Sequence, residues 1–80
     1  MNLIWVTNAK YVGNYQLRLT FNDGVVKVFD GAELVANNPL FKPLQSMTLF
    51  RNFTLDDWTV TWGNLDIAPE YLYEYGTAVQ

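Results

Sequence analysis

The chain has 80 residues, eight acids against five bases for a net charge of −3, and neither histidine nor cysteine. Those two zeros exclude disulfides, thiolate zinc sites and a cysteine nucleophile, and remove the commonest general base and transition-metal ligand. Half the residues are hydrophobic, with three Trp, five Tyr and five Phe. The length suits one domain, 1–80, with a radius of gyration of roughly 12 Å.

Lys10, Arg18, Lys27, Lys42 and Arg51 are scattered singly along the sequence. Phosphate binding needs clustered basic residues, so no direct nucleic-acid partner is expected; a mildly acidic chain suits a basic protein partner. There is no apolar run near the ~18 residues of a membrane span, and no basic-then-apolar signal segment at the start. The expectation is a cytoplasmic protein with no membrane association.

Residues 3 to 12 are rich in β-formers (Ile4, Trp5, Val6, Thr7, Tyr11, Val12) and lead into Gly13-Asn14. A tight turn there would place Lys10 and Asn8 on the apolar face, whereas a bulge or longer loop would place Ala9 and Tyr11 there. Tyr15, Leu17, Leu19 and Phe21 then alternate with polar residues, the period of a half-buried strand. Asp23-Gly24 follows as a two-residue hairpin turn, pairing Phe21 with Val26 and Leu19 with Val28 and turning Arg18, Thr20, Lys27 and Phe29 to the other face. Asp30, three residues before Glu33, resembles a capping box for one or two helical turns that Asn37-Asn38-Pro39 stops. Residues 39 to 48 read as a connection anchored by Phe41 and Leu44.

A second hairpin is expected over 50 to 62 around Asp56-Asp57, pairing Leu55 with Trp58, Phe53 with Val60 and Arg51 with Trp62. The last element is a short helix with Pro69 in its first position, Ile67 and Leu72 as a hydrophobic staple, Glu70 in the first turn and Gly76 beyond its end. Leu72, Tyr71 and Tyr75 are expected to face the sheet, with Tyr73 turned away and Glu70 and Glu74 outward. The result is an α+β fold: an antiparallel β-sheet of about five strands, β-β-β-α-β-β-α, with a short C-terminal helix.

Chemistry-bearing patterns are sparse. Adjacent Asp56 and Asp57 in a turn point apart, and Asp favours such positions for local hydrogen bonds. Asp66, ahead of Pro69, reads as a turn or capping residue whose replacement by Ala is expected to cost about 1 kcal/mol. Calcium-loop spacing, a nucleophile elbow and a phosphate loop are all missing, so neither a catalytic residue nor a metal or cofactor site is expected. Arg51 opposite Trp62 and Arg18 opposite Phe29 are candidate cation–π pairs. The aromatic surplus is hard to hide in a core one layer thick, and Tyr and Trp are enriched in interface cores.

Phe21-Asn22-Asp23-Gly24, Phe29-Asp30, Leu44, Phe50, Phe53 and the closing run Trp62-Gly63-Asn64-Leu65-Asp66-Ile67-Ala68-Pro69-Glu70-Tyr71-Leu72-Tyr73 resemble the small bacterial domain-of-unknown-function family 2442. That family's pattern is an F-x-D-G hairpin, an Asp after the next strand, a tryptophan, an N-G-x-D-[IL]-x-P turn and a short E-x-L helix. Here Gly63-Asn64-Leu65 stands where the family usually has Asn-Gly. The resemblance implies a bacterial α+β domain, in some members fused to a helix-turn-helix and in others one half of a two-gene pair like a toxin–antitoxin module. With 80 residues this chain leaves no room for a helix-turn-helix, so DNA binding is not expected to carry over, and the family supplies no catalytic residue to match.

The expectation is therefore a non-enzymatic protein-interaction module, an antitoxin-like subunit or a homodimer. Trp58, Trp62, Tyr73, Glu70 and Glu74 are its candidate contact residues, and Asp23, Gly24, Asp30, Asp66 and Pro69 are structural positions. The alternative is a small-ligand-binding domain in which Trp5, Trp58 or Trp62 lines a shallow pocket.

Overall fold

The computed structural model describes residues 3–56, 58–63 and 65–79. Strands β1 (Val6–Gly13), β2 (Gln16–Phe21) and β3 (Val26–Asp30) lead into helix α1 (Gly31–Asn37), a 3-10 helix (Pro39–Gln45) and helix α2 (Met47–Arg51). Strands β4 (Thr54–Asp56), β5 (Thr59–Trp62) and β6 (Leu65–Asp66) follow, then helix α3 (Pro69–Tyr75) and strand β7 (Thr77–Ala78). The fold is α+β with a short C-terminal helix. Its strands form two antiparallel sheets, β1-β2-β3-β7 and β4-β5-β6, where a single sheet was expected. The Cα radius of gyration is 11.7 Å.

At the first turn the bulged register prevails. Asn14 and Tyr15 take the two left-handed positions, at φ +52° and +61°, and Gly13 sits at +101°. An irregularity at Tyr11/Gly13 sets Tyr11 opposite Leu17 and Ala9 opposite Leu19, and a second at Val6/Asn8 brings Val6 opposite Phe21. The polar residues Asn8 and Lys10 thereby stay on the outer face.

The second turn overturns the expected register. The loop has three residues, because the Gly24 N–H donates to the Phe21 carbonyl and the Phe21 N–H donates to the Val25 carbonyl, both at 2.9 Å. Gly24 at φ +85° is the left-handed residue of a type I turn with a bulge. Thr20 therefore pairs with Val26, Arg18 with Val28 and Leu17 with Phe29. One residue of slip exchanges the faces: Lys27 and Phe29 join Leu17, Leu19 and Phe21 inside, and Val26 and Val28 lie outside.

Asp30 caps α1 by accepting the Ala32 N–H at 3.0 Å, and the helix ends at Asn37 ahead of Pro39 as expected. Gly31 is needed for close approach, since a Cβ there would lie 2.4 Å from the Phe50 ring. Residues 47–51 are a helix, where the end of a connection and, from residue 50, the beginning of a strand were expected. Ser46 caps it through the Leu49 N–H, and Phe50 is buried on its inner side.

The second hairpin is shorter, and its turn lies one residue further along, which moves each pairing partner by two. Leu55 pairs with Val60 and Asp56 with Thr59, so Asp56 is a strand residue and Asp57 lies outside the described residues. Arg51 sits in α2 with its guanidinium 5.4 Å from the Tyr11 ring centroid, so neither Arg51–Trp62 nor Arg18–Phe29 forms the expected cross-strand pair. Ala68 is the N-cap of α3 and makes no side-chain cap bond, so Asp66, paired with Thr61 in β6, is not the cap. Asn64 also lies outside the described residues. Gly76 adopts φ −74° and is not left-handed; it leaves room for Leu72 and Lys27, against which a Cβ would press at 2.8–3.0 Å.

One hydrophobic cluster joins both sheets and every helix. Leu17, Leu19, Phe21 and Phe29 from the larger sheet meet Leu34, Leu44, Phe50, Val60, Trp62, Ile67 and Leu72. All of these lie on one face of the four-stranded sheet. The opposite face, carrying Lys10, Arg18, Thr20, Val26 and Val28, has no such layer over it among the described residues.

Candidate interaction surface

The tip of the second hairpin is pinned to the edge of the larger sheet. The Val6 N–H of β1 donates to the Trp58 carbonyl at 2.9 Å, and this bond ties the two sheets together. Trp58 pays for that position in backbone strain, with φ +69°, a region a bulky residue rarely occupies. Such a conformation costs on the order of 1–3 kcal/mol, and glycine would adopt it without that cost. Its indole nevertheless remains 66% exposed. The ring tilts against Trp5 with centroids 5.4 Å apart. Trp5, Val6, Thr7, Leu55, Asp56 and Trp58 surround a hollow of about 340 Å³. Leu55 at its margin and Leu3 nearby in sequence are also exposed.

Trp5 is held by its backbone: its N–H donates to Asn22 Oδ1 at 2.9 Å, while Asn22 Nδ2 donates to the Leu3 carbonyl at 2.8 Å. One amide thus staples the N-terminal segment to the β2–β3 turn and fixes the floor of the hollow.

The other candidate contact residues separate into three groups. Trp62 is a core residue, 4% exposed, stacked on Phe50 at 5.6 Å with its Nε1–H donating to the Phe50 carbonyl at 2.8 Å. It therefore lines neither a surface nor a pocket. Tyr73 also turns inward, contrary to expectation: it meets Phe21 edge-to-face at 4.9 Å and its hydroxyl donates to Asp23 Oδ2 at 2.7 Å. Lys27 Nζ lies 4.0 Å from the Tyr73 ring centroid and donates to the Tyr73 carbonyl. The corrected register explains this, because the slip that turns Lys27 inward brings it beneath α3. Tyr71 and Tyr75 consequently stay exposed, 4.5 Å apart, beside exposed Glu70 and Glu74.

Electrostatics agree with that geometry. The Tyr73 hydroxyl and the Val25 N–H, with a lesser contribution from nearby Lys27, hold the Asp23 carboxyl below its ordinary range against the opposing effect of desolvation. The same hydrogen bond to Asp23 pushes the Tyr73 phenol up. Glu74 raises the Tyr75 phenol in the same way. Asp23 and Gly24 thus form a turn that also anchors the C-terminal helix. Asp30 is a cap, Pro69 opens α3, and Asp66 is an exposed strand residue. Among the described residues, no group of three or more carboxylates is placed to hold a metal ion, and no helix is long and apolar enough to cross a membrane.

These features define a small α+β domain with a buried aromatic core and an exposed tryptophan pair at the junction of its sheets. A family model described as "Protein of unknown function (DUF2442)" matches residues 6–78, and the chain belongs to that family. No curated protein and no solved structure matches it.

Proposed function

We propose that the chain is a non-enzymatic protein-interaction module, and that the Trp5–Trp58 surface is where it meets its partner. The carrying observation is Trp58: an aromatic in a strained left-handed turn whose side chain is spent on the surface and not in the core. A turn alone would be served better by glycine. Strain at a position that presents a side chain outward is characteristic of ligand clamps and contact sites, and tryptophan is the residue most enriched among binding hot spots. Asp56 beside the hollow and the net negative charge favour a partner that brings a basic residue next to an apolar one. An antitoxin-like subunit in the cytoplasm of a bacterium is one case of this reading.

The test uses Trp58→Gly, which relieves left-handed strain while losing a tilted aromatic contact worth about 0.5–1.5 kcal/mol. The variant is expected to melt close to the wild type yet to lose at least tenfold of the wild type's yield of specific partner in affinity capture from its native cell. Undiminished capture by the variant would refute the reading.

The hollow itself supports a second reading, binding of a small molecule between Trp5 and Trp58, because its volume falls in the range of ligand sites. A metabolite screen followed by tryptophan emission separates the two: a ligand in the hollow shifts emission at a fixed protein concentration, and Trp58→Gly removes the shift.

A further inference from the structure

The outer face of the four-stranded sheet carries a charge pattern that the core does not require. Lys10 and Arg18 are direct cross-strand neighbours, both exposed, and two like charges in that relation repel. On the same face, two residues along the strands, Gln16 pairs with Asp30. There a cleft of about 410 Å³ opens between α1 and the end of α3, bordered by Asp30, Glu33 and Tyr75 above a floor of Val28 and Thr77. The basic pair and the acidic cleft are separated by roughly 7 Å along the strands at about 3.3 Å per residue. Val28 lies beside Arg18 in the same row, and the next row away from the acidic cleft carries Thr20 and Val26.

We infer that this face binds a second copy of the chain in a two-fold dimer, with Arg18 and Lys10 of each copy reaching the Asp30–Glu33 cleft of the other. This rests on reading the chain as an interaction module but uses a face separate from the tryptophan surface. A two-fold axis lying in the interface between β2 and β3 sets the basic side of one sheet over the acidic side of its mate, so both charged contacts form at once. Facing sheets pack about 10 Å apart, a gap that Lys and Arg side chains span. The arrangement places the repelling basic pair beside carboxylates and covers the valines. Four strands about 4.8 Å apart make a face only roughly 19 Å wide, at the small end of stable interfaces, so dimerisation depends on concentration.

Sedimentation of the full chain over a concentration series, with Arg18→Glu and Glu33→Lys, tests this. The wild type is expected to pass from monomer to dimer, and each reversal to weaken the dimer at least tenfold. Mixing the two variants in equal amounts is expected to restore it, because the mixed pair recovers both attractive contacts. Both substitutions lie at exposed positions, and an unchanged melting temperature confirms that they fold. A wild type that stays monomeric at every concentration overturns the inference, as does a dimer that neither reversal weakens. A dimer lost in Trp58→Gly but kept in both reversals also overturns it, while leaving the tryptophan surface as the site of contact.

Discussion

Replacing Gly31 with alanine places one methyl group where the fold has no room. A Cβ there would stand 2.4 and 2.5 Å from two Phe50 ring carbons and 3.0 Å from the Tyr15 carbonyl oxygen. Carbon atoms in contact prefer about 3.5–4.0 Å, so the ring must retreat by about 1 Å or more. It has nowhere to go: Phe50 is fully buried, stacked on Trp62 at 5.6 Å and packed against Tyr15 at 5.2 Å. Overpacking of this kind costs about 1–3 kcal/mol, offset in part by up to about 1 kcal/mol for replacing a helical glycine. The net expectation is a loss of about 1–2 kcal/mol, or about 4–16 °C in melting temperature for a domain of this size. Thermal and urea unfolding of Gly31→Ala, Phe50→Leu and the double variant measure it. Phe50→Leu is destabilising alone, but the smaller side chain should accept the methyl group, giving a favourable coupling of about 0.5–3 kcal/mol. An alanine variant that melts within about 2 °C of the wild type, or higher, would refute the close packing of α1 on α2.

Trp62→Phe orphans the buried Phe50 carbonyl and is expected to cost about 1–3 kcal/mol beyond the loss of ring area, read by denaturant unfolding. Asp30→Ala should cost about 0.5–2 kcal/mol as a lost cap, whereas Asp66→Ala should stay within about 0.5 kcal/mol; equal losses from the two would contradict the capping assignment. The Asp23–Tyr73 bond has a pH signature. The lowered carboxyl stabilises the fold above its unfolded value of 3.8 and loses that contribution as pH falls through its folded value. The raised phenol stabilises below 10.0 and loses its contribution as pH rises through its folded value. The stability gap between wild type and Tyr73→Phe should therefore be flat at neutral pH and narrow at both extremes, and a gap independent of pH would contradict the bond.

Much of the fold was legible because alternation, proline and capping residues mark element ends locally. The alternation of β2, the Asp30 cap, the stop before Pro39 and the opening of α3 at Pro69 all follow from such signals. Register was harder. Asp23-Gly24 satisfies either a two-residue turn or a three-residue loop with glycine in the left-handed position, and β3 carries apolar residues on both faces, so parity did not choose between them. That single slip also hid the fate of the candidate contact residues of α3, since it brings Lys27 beneath Tyr73, which turns inward while Tyr71 and Tyr75 remain outside. The end of α2 read as a strand because Arg51, Phe53 and Leu55 alternate onto one face of the expected hairpin; the contrary signal was Ser46, whose side chain caps the helix. Trp62 ends strand β5 and its indole N–H finds the Phe50 carbonyl, whereas Trp58 sits in the left-handed turn before that strand, a distinction that needed the hairpin's register. The outer-face charge pairing needed the correct register before Lys10, Arg18 and Asp30 shared a surface.

The central claim is that the surface around Trp5 and Trp58 meets another protein, and site-specific photo-crosslinking tests it first with both tryptophans in place. A photoreactive phenylalanine replaces Leu55, exposed at the margin of the hollow, with Leu40 as an equally substituted position that lies outside it. The account predicts a discrete protein adduct from position 55 in the native cell, absent from position 40 and abolished by adding Trp58→Gly. The same adducts from both positions, or none from position 55 while the protein remains folded, would contradict it.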